Sequence, residues 1–135
     1  MSYEQSLVYI SQASVCLLVE AKMDEGIYLP SKLVDYIVSK KPILALSPEV
    51  GVVSELSRCG GIMRVDADNR IAIEKAIADL YSDFRKGILM ERAPDRLAKQ
   101  FEPQEVARQF LDALRGIVPR VFDLKSPPKQ TADQT

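Results

Sequence analysis

Ser31, Lys32 and Asp35 are the residues whose types and spacing suit chemistry on a phosphorylated ligand. They follow the loop Gly26-Ile27-Tyr28-Leu29-Pro30 and open a stretch, Ser31 to about Ser39, that reads as a short helix. The first turn of a helix exposes unpaired N–H groups and the positive end of the dipole, an arrangement that suits a phosphate. The Ser31 hydroxyl and the Lys32 ammonium add a hydrogen bond and a point charge there. Asp35 lies four residues after Ser31 and three after Lys32, so all three share neighbouring parts of one helix surface. Phosphate donors beside a hydroxyl-accepting carboxylate describe a nucleotide or nucleotide-sugar site. The same spacing also fits an ordinary helix start, with Ser31 as an N-cap and Asp35 in solvent.

Composition removes other classes of chemistry. The chain of 135 residues contains no histidine. Ser-His-Asp and Cys-His nucleophiles are thereby excluded, with most zinc sites, and no metal or cofactor is expected. Proton transfer at neutral pH would fall to a carboxylate or lysine with a shifted pKa. Net charge is -1 and no basic run occurs, so nucleic acid is not an expected partner. Of the two cysteines, Cys16 lies in an apolar run and Cys59 beside a turn, which suggests reduced thiols rather than a disulfide framework. No stretch approaches ~18 consecutive apolar residues, so no integral membrane segment is expected. The first residues, Met1-Ser2-Tyr3-Glu4-Gln5, lack the pattern of a signal peptide, and a cytoplasmic location is the default expectation.

The elements that must position these residues alternate. Tyr3, Leu7 and Ile10 recur at helical spacing and predict a helix over 3–12. Val15 to Val19 is a continuous apolar run, the pattern of a strand buried on both faces. The loop Glu20 to Pro30 and the helix from Ser31 follow, and Pro42 opens a second strand, Ile43 to Leu46. Val50 to Arg58 reads as a short helix ending at Gly60-Gly61, and Ile62 to Val65 as a third strand nearer an edge. Ile73, Ile77, Leu80, Tyr81 and Phe84 form one helical stripe; Val106, Phe110, Leu111, Leu114 and Ile117 form another. Both stripes are expected in the core. Residues 1–118 read as one partial domain, and 119–135 as a polar disordered tail. The fold class is α/β: a partial Rossmann-like parallel sheet of about three strands, flanked by helices. Ligands in such sheets sit at the carboxyl ends of the strands, where the loop Glu20 to Pro30 and the turn Ser47 to Gly51 both fall.

The string Leu29-Pro30-Ser31-Lys32-Leu33-Val34-Asp35-Tyr36, followed by Lys41-Pro42-Ile43, resembles the donor-site segment of GT-B-fold glycosyltransferases, the retaining family 4 in particular. Val15 to Val19 is similar to the strand before that loop, Gly51 to Leu56 with Gly60-Gly61-Ile62 to the next helix and strand, and Phe101 to Leu114 to the closing helix. The resemblance spans roughly residues 3–116. It departs from the family at three positions. The family pairs two glutamates, the second contacting the donor's ribose; Asp35 stands at the second, and Ile27 occupies the place of the first, with Glu25 the nearest acidic substitute. The family's turn glycine is Lys40 here, which would carry strain if that position needs a positive φ.

The resemblance implies the back half of a donor domain that binds a nucleotide-diphosphate sugar, with Glu25, Gly26, Ser31, Lys32 and Asp35 as donor-binding residues and no assigned catalytic residue. Expected partners are the nucleotide-sugar donor and either a missing N-terminal glycosyltransferase half or a second copy. A non-catalytic remnant, acting as a nucleotide-binding or interaction module, is the alternative. Glu49 and Glu55 read as surface charges and Gly51 as a turn residue. A receiver domain also uses a Lys-Pro pair at a sheet end, but there it follows a strand, whereas Lys41-Pro42 precedes one.

Overall fold

The computed structural model describes residues 2–117, so the expected tail at 119–135 lies outside the described residues. Helix α1 (Tyr3–Gln12) leads into strand β1 (Cys16–Val19); α2 (Ser31–Val38) links it to β2 (Ile43–Leu46), and α3 (Val52–Ser57) links β2 to β3 (Ile62–Val65). Then come α4 (Arg70–Lys86), a 3-10 turn (Leu89–Arg92), α5 (Asp95–Gln100) and α6 (Pro103–Ile117). The strands form a parallel sheet in the order β1-β2-β3, as the alternating pattern predicts. β3 lies at an edge, and so does β1.

Pairing register sorts the side chains by face. Cys16, Ile43 and Ile62 stand side by side in one row; Leu17, Leu44 and Met63 stand in the next, on the opposite face. The first face is closed. Cys16, Leu18, Ile43, Ala45 and Ile62 pack there against Leu33 and Ile37 of α2, Val53 of α3 and Leu97 of α5, and Ile10 of α1 lies at the border. Among the described residues the second face is covered by α4 and the 3-10 turn alone, through Ala76, Leu80 and Leu89 against Leu44.

Two expectations of burial are corrected. β1 is not buried on both faces: Cys16 and Leu18 are buried, but Leu17 is 54% and Val19 62% exposed. α4 packs over the β2–β3 side, against Leu44, Met63 and Val65. The apolar stripes are likewise only partly core. Leu80 is buried, whereas Ile77, Tyr81 and Phe84 of α4 and Val106, Phe110 and Leu111 of α6 are exposed. No described element covers those positions.

Helix α5 was not legible as an element. Its six residues are too few to show a period. Yet Leu97 is fully buried, and α5 closes the first face. At the end of α2, Lys40 does adopt a left-handed φ of 54°. The helix is terminated there by the Lys40 and Lys41 N–H groups donating to the Ile37 and Tyr36 carbonyls.

Candidate functional site

The carboxyl end of the sheet is built from the residues that follow each strand. The Glu20 N–H donates to the Leu46 carbonyl at 2.9 Å and the Ser47 N–H to the Val65 carbonyl at 3.1 Å, so the ladder continues one residue past each strand. Beyond it, the loop after β1 and the turn after β2 clasp each other. The Gly26 N–H donates to the Val50 carbonyl and the Val52 N–H to the Gly26 carbonyl, each at 2.9 Å, forming a one-residue parallel bridge between Gly26 and Gly51. Glycine is required on the Gly51 side. Its φ is 134°, and a Cβ there would lie 2.4 Å from the Gly26 carbonyl oxygen. Gly51, read from sequence as a turn residue, therefore positions the loop that leads to α2.

The expected site residues fall as follows. Gly26 is buried in the clasp, and Glu25 beside it is exposed. Ser31 is the first residue of α2 rather than its cap; Pro30 takes the cap position, and no side chain caps that end. The Ser31 hydroxyl is thus not consumed by the capping bond that the structural alternative assigned to it. Ser31 and Lys32 are exposed, and Lys32 forms no ion pair among the described residues. The Leu33 N–H is taken by the Pro30 carbonyl at 2.9 Å, which leaves the Ser31 and Lys32 N–H groups as the donors at this helix end. Asp35 is half-buried, and its Oδ1 accepts from the Tyr3 hydroxyl at 3.0 Å. That hydrogen bond and the Asp35 charge raise the Tyr3 pKa above the ordinary tyrosine value. Asp35 is therefore tied to α1 through one oxygen.

Sequence reading missed Glu20 and Ser47. Ser47 is 2% exposed, its hydroxyl has no hydrogen-bond partner, and its carbonyl accepts from the Arg64 guanidinium at 3.1 Å. Glu20 is half-buried as a whole, but its Oε2 is fully shielded and also unpaired. Burial raises the Glu20 pKa from the ordinary carboxylate value. Both residues line a cleft of about 130 Å³ at the strand ends. A signal for them was present: each is the first polar residue after an apolar strand run.

The charged residues of the lining are mostly acidic. Asp24, Glu49, Asp66 and Asp68 join Glu20, against Lys22 alone, and Lys22 is already paired with Asp68. Like charges at this range disfavour a diphosphate in the cleft itself. An anion would be better accommodated at the start of α2, beside Lys32. Among the described residues no group of three or more acidic, cysteine or histidine side chains is placed to hold a metal ion.

Neither cysteine forms a disulfide. Burial raises the Cys16 thiol pKa, with nearby Lys41 acting in the opposite direction, so this thiol is a core side chain rather than a nucleophile. No described helix is long and apolar enough to cross a membrane. Comparison with known protein families, with curated proteins and with solved structures finds no match.

Proposed function

We propose that this chain supplies the donor side of a nucleotide-sugar-dependent glycosyltransferase. The observation that carries the reading is the Gly26–Gly51 clasp, which joins the loop entering α2 to the turn entering α3 at the carboxyl end of a parallel sheet. It holds the uncapped start of α2, with Ser31 and Lys32, beside that sheet end. In this reading the α2 N–H groups, the Ser31 hydroxyl and the Lys32 ammonium bind the diphosphate and neutralise charge that develops on it as it leaves. Asp35 accepts from the ribose hydroxyls through the oxygen that Tyr3 does not occupy, and Glu25 lies on the loop that would approach the sugar.

The alternative, a nucleotide-binding or interaction module without catalysis, draws support from the apolar groove of about 520 Å³ between β1 and α4, lined in part by Leu17, Leu46, Ile77, Tyr81 and Phe84. A chain whose main task is association would use such a surface. Its free β1 edge is compatible with a second copy or with a further glycosyltransferase half.

Titration of the labelled chain with nucleoside diphosphates, followed by NMR, tests the donor reading. Amide resonances of residues 26–35 should move in a saturable way. Lys32→Ala should weaken every diphosphate and flatten the salt dependence. Asp35→Ala should weaken ribose-containing ligands and leave inorganic pyrophosphate unchanged. Movement confined to the groove residues would favour the interaction module instead.

A further inference from the structure

Two apolar surfaces of this chain have no partner among the described residues, and they do not meet each other. One is the groove of about 520 Å³ between β1 and α4, on the open face of the sheet. Leu17, Ile77, Tyr81 and Phe84 line it and are each more than half exposed, and no charged residue lines it. The other is a stripe on α6. Val106, Phe110 and Leu114 follow at spacings of four residues, with Leu111 beside them, and none of the residues from 103 to 116 is buried. α6 departs from α5, which packs on the closed face, so the groove and the stripe of one chain stay apart.

The two surfaces are complementary. Helices that pack side by side lie about 8–10 Å apart, and the place beside α4, over Leu17 and Val19, holds no described helix. The stripe from Val106 to Leu114 runs about 12 Å along its helix. The four residues of β1 run about 13 Å. A lone helix of this length is marginal in water, so the apolar face of α6 needs a surface to pack against. A membrane is the wrong surface. Helices that lie on lipid carry a basic polar face, whereas that of α6 balances Arg108 and Arg115 against Glu105 and Asp112. Arg108 already pairs with both of those acids.

We propose that a second copy of this chain supplies the missing helix: α6 of each copy lies in the β1–α4 groove of the other, with Phe110 between Tyr81 and Phe84. Each chain carries one stripe and one groove, so a two-fold arrangement uses both and closes. The area is sufficient only when the contact is made twice. Tyr81, Phe84 and Phe110, each more than half exposed, bring roughly 250–450 Å² to one contact. With the aliphatic residues, two contacts reach the roughly 1,200 Å² that a specific interface needs. The mode is that of an amphipathic helix in an apolar groove. The association does not rest on the donor reading, and its test uses no nucleotide.

The test is sedimentation of the full chain and of two variants, Phe110→Ser on the helix and Phe84→Ser in the groove. The parent should dimerise with a Kd of roughly micromolar order. Each variant removes an anchor from both contacts, so its Kd should rise at least about hundredfold. Circular dichroism at a concentration where all three are monomeric should be the same for each. The decisive sample mixes the two variants, with one of them fluorescently labelled. Their heterodimer should be at least about fivefold tighter than either homodimer, because it gathers both defects into one contact and leaves the other intact. A parent that stays monomeric at about millimolar concentration overturns the proposal. A dimer lost in Phe110→Ser but kept in Phe84→Ser shows α6 pairing with itself, and the converse shows pairing through β1; either overturns it. So do a heterodimer no tighter than the homodimers, a mass that climbs without limit, and Phe110-dependent binding of the monomer to anionic vesicles.

Discussion

The two faces of the sheet share three strands and differ in what covers them. On one face α1, α2, α3 and α5 enclose Cys16, Leu18, Ile43, Ala45 and Ile62, and Leu33, Ile37 and Leu97 are fully or almost fully buried between layers. On the other, α4 and one 3-10 turn cover β2 and β3 and leave Leu17 and Val19 of β1 in the open. Parallel strands are normally buried on both sides. The difference teaches that the apolar area that holds the fold and the apolar area left exposed are separated in this molecule. The closed face holds the fold, and the open face offers apolar area that the described residues do not use.

Truncation on the closed face should have the largest effect. Leu97→Ala or Leu33→Ala should each cost about 3 kcal/mol, read as a lower urea midpoint at unchanged slope, because each leaves a cavity in a filled layer. Phe84→Ser and Tyr81→Ser on the open face should change stability by less than about 0.5 kcal/mol. They should, however, reduce any concentration-dependent light scattering. A Phe84 variant as destabilised as the Leu97 variant would show that the open face is part of the core.

Gly51→Ala comes next, at about 2 kcal/mol, because the added Cβ collides with the Gly26 backbone and the φ is unfavourable for alanine. Hydrogen exchange at the Gly26 and Val52 amides should accelerate in that variant, while the amides of α4 stay protected. Loss of protection throughout would place the clasp within the folding core.

Lys40→Gly should work in the other direction. It relieves a left-handed residue with a side chain, offset in part by the greater freedom of glycine in the unfolded chain, and should stabilise by about 0.5 kcal/mol. The smallest effect concerns α6, whose side-chain ion pairs among the described residues all lie within the helix. Glu105 accepts from Arg108 and Gln109, and these bonds hold its pKa down to about 2. A depressed carboxylate contributes above its ordinary value of 4.5 and loses that contribution as pH falls towards 2. Amide protection in α6 should therefore decline between those limits before the closed face responds. A simultaneous loss in both regions would mean that α6 is coupled to the core.

The alternation of strands and helices was legible because the apolar runs at Val15 to Val19 and Ile43 to Leu46 are short, continuous and bounded by polar or proline residues. The α1 bounds were legible from the helical spacing of Tyr3, Leu7 and Ile10, and the structure adds a cap that the sequence reading did not name. Ser2 and Gln5 form a reciprocal cap, with bonds of 3.3 and 2.9 Å. What covers an apolar residue was not legible. Tyr81 and Leu80 are adjacent members of one stripe, but only Leu80 meets the sheet, because the position of α4 depends on tertiary packing. The site was half visible. Ser31 and Lys32 stand at a helix start as their spacing implies, whereas Glu20 and Ser47 become noteworthy only once pairing sets them side by side and leaves their oxygens without partners. The Tyr3–Asp35 bond joins residues 32 positions apart, beyond what local spacing can show.

The clasp between Gly26 and Gly51 has a thermodynamic consequence for any ligand of this end of the sheet. Between Glu20 and Pro30 the chain would otherwise search as one long loop, and a ligand touching its far end would have to arrest that search on binding. A single bridge near the middle divides the segment into two shorter spans, and each halving of a loop removes roughly 0.6 kcal/mol of closure entropy. That ordering is completed during folding rather than at the moment of encounter. The start of α2 is thereby held ready before any ligand arrives, so the clasp would act on affinity without touching the ligand.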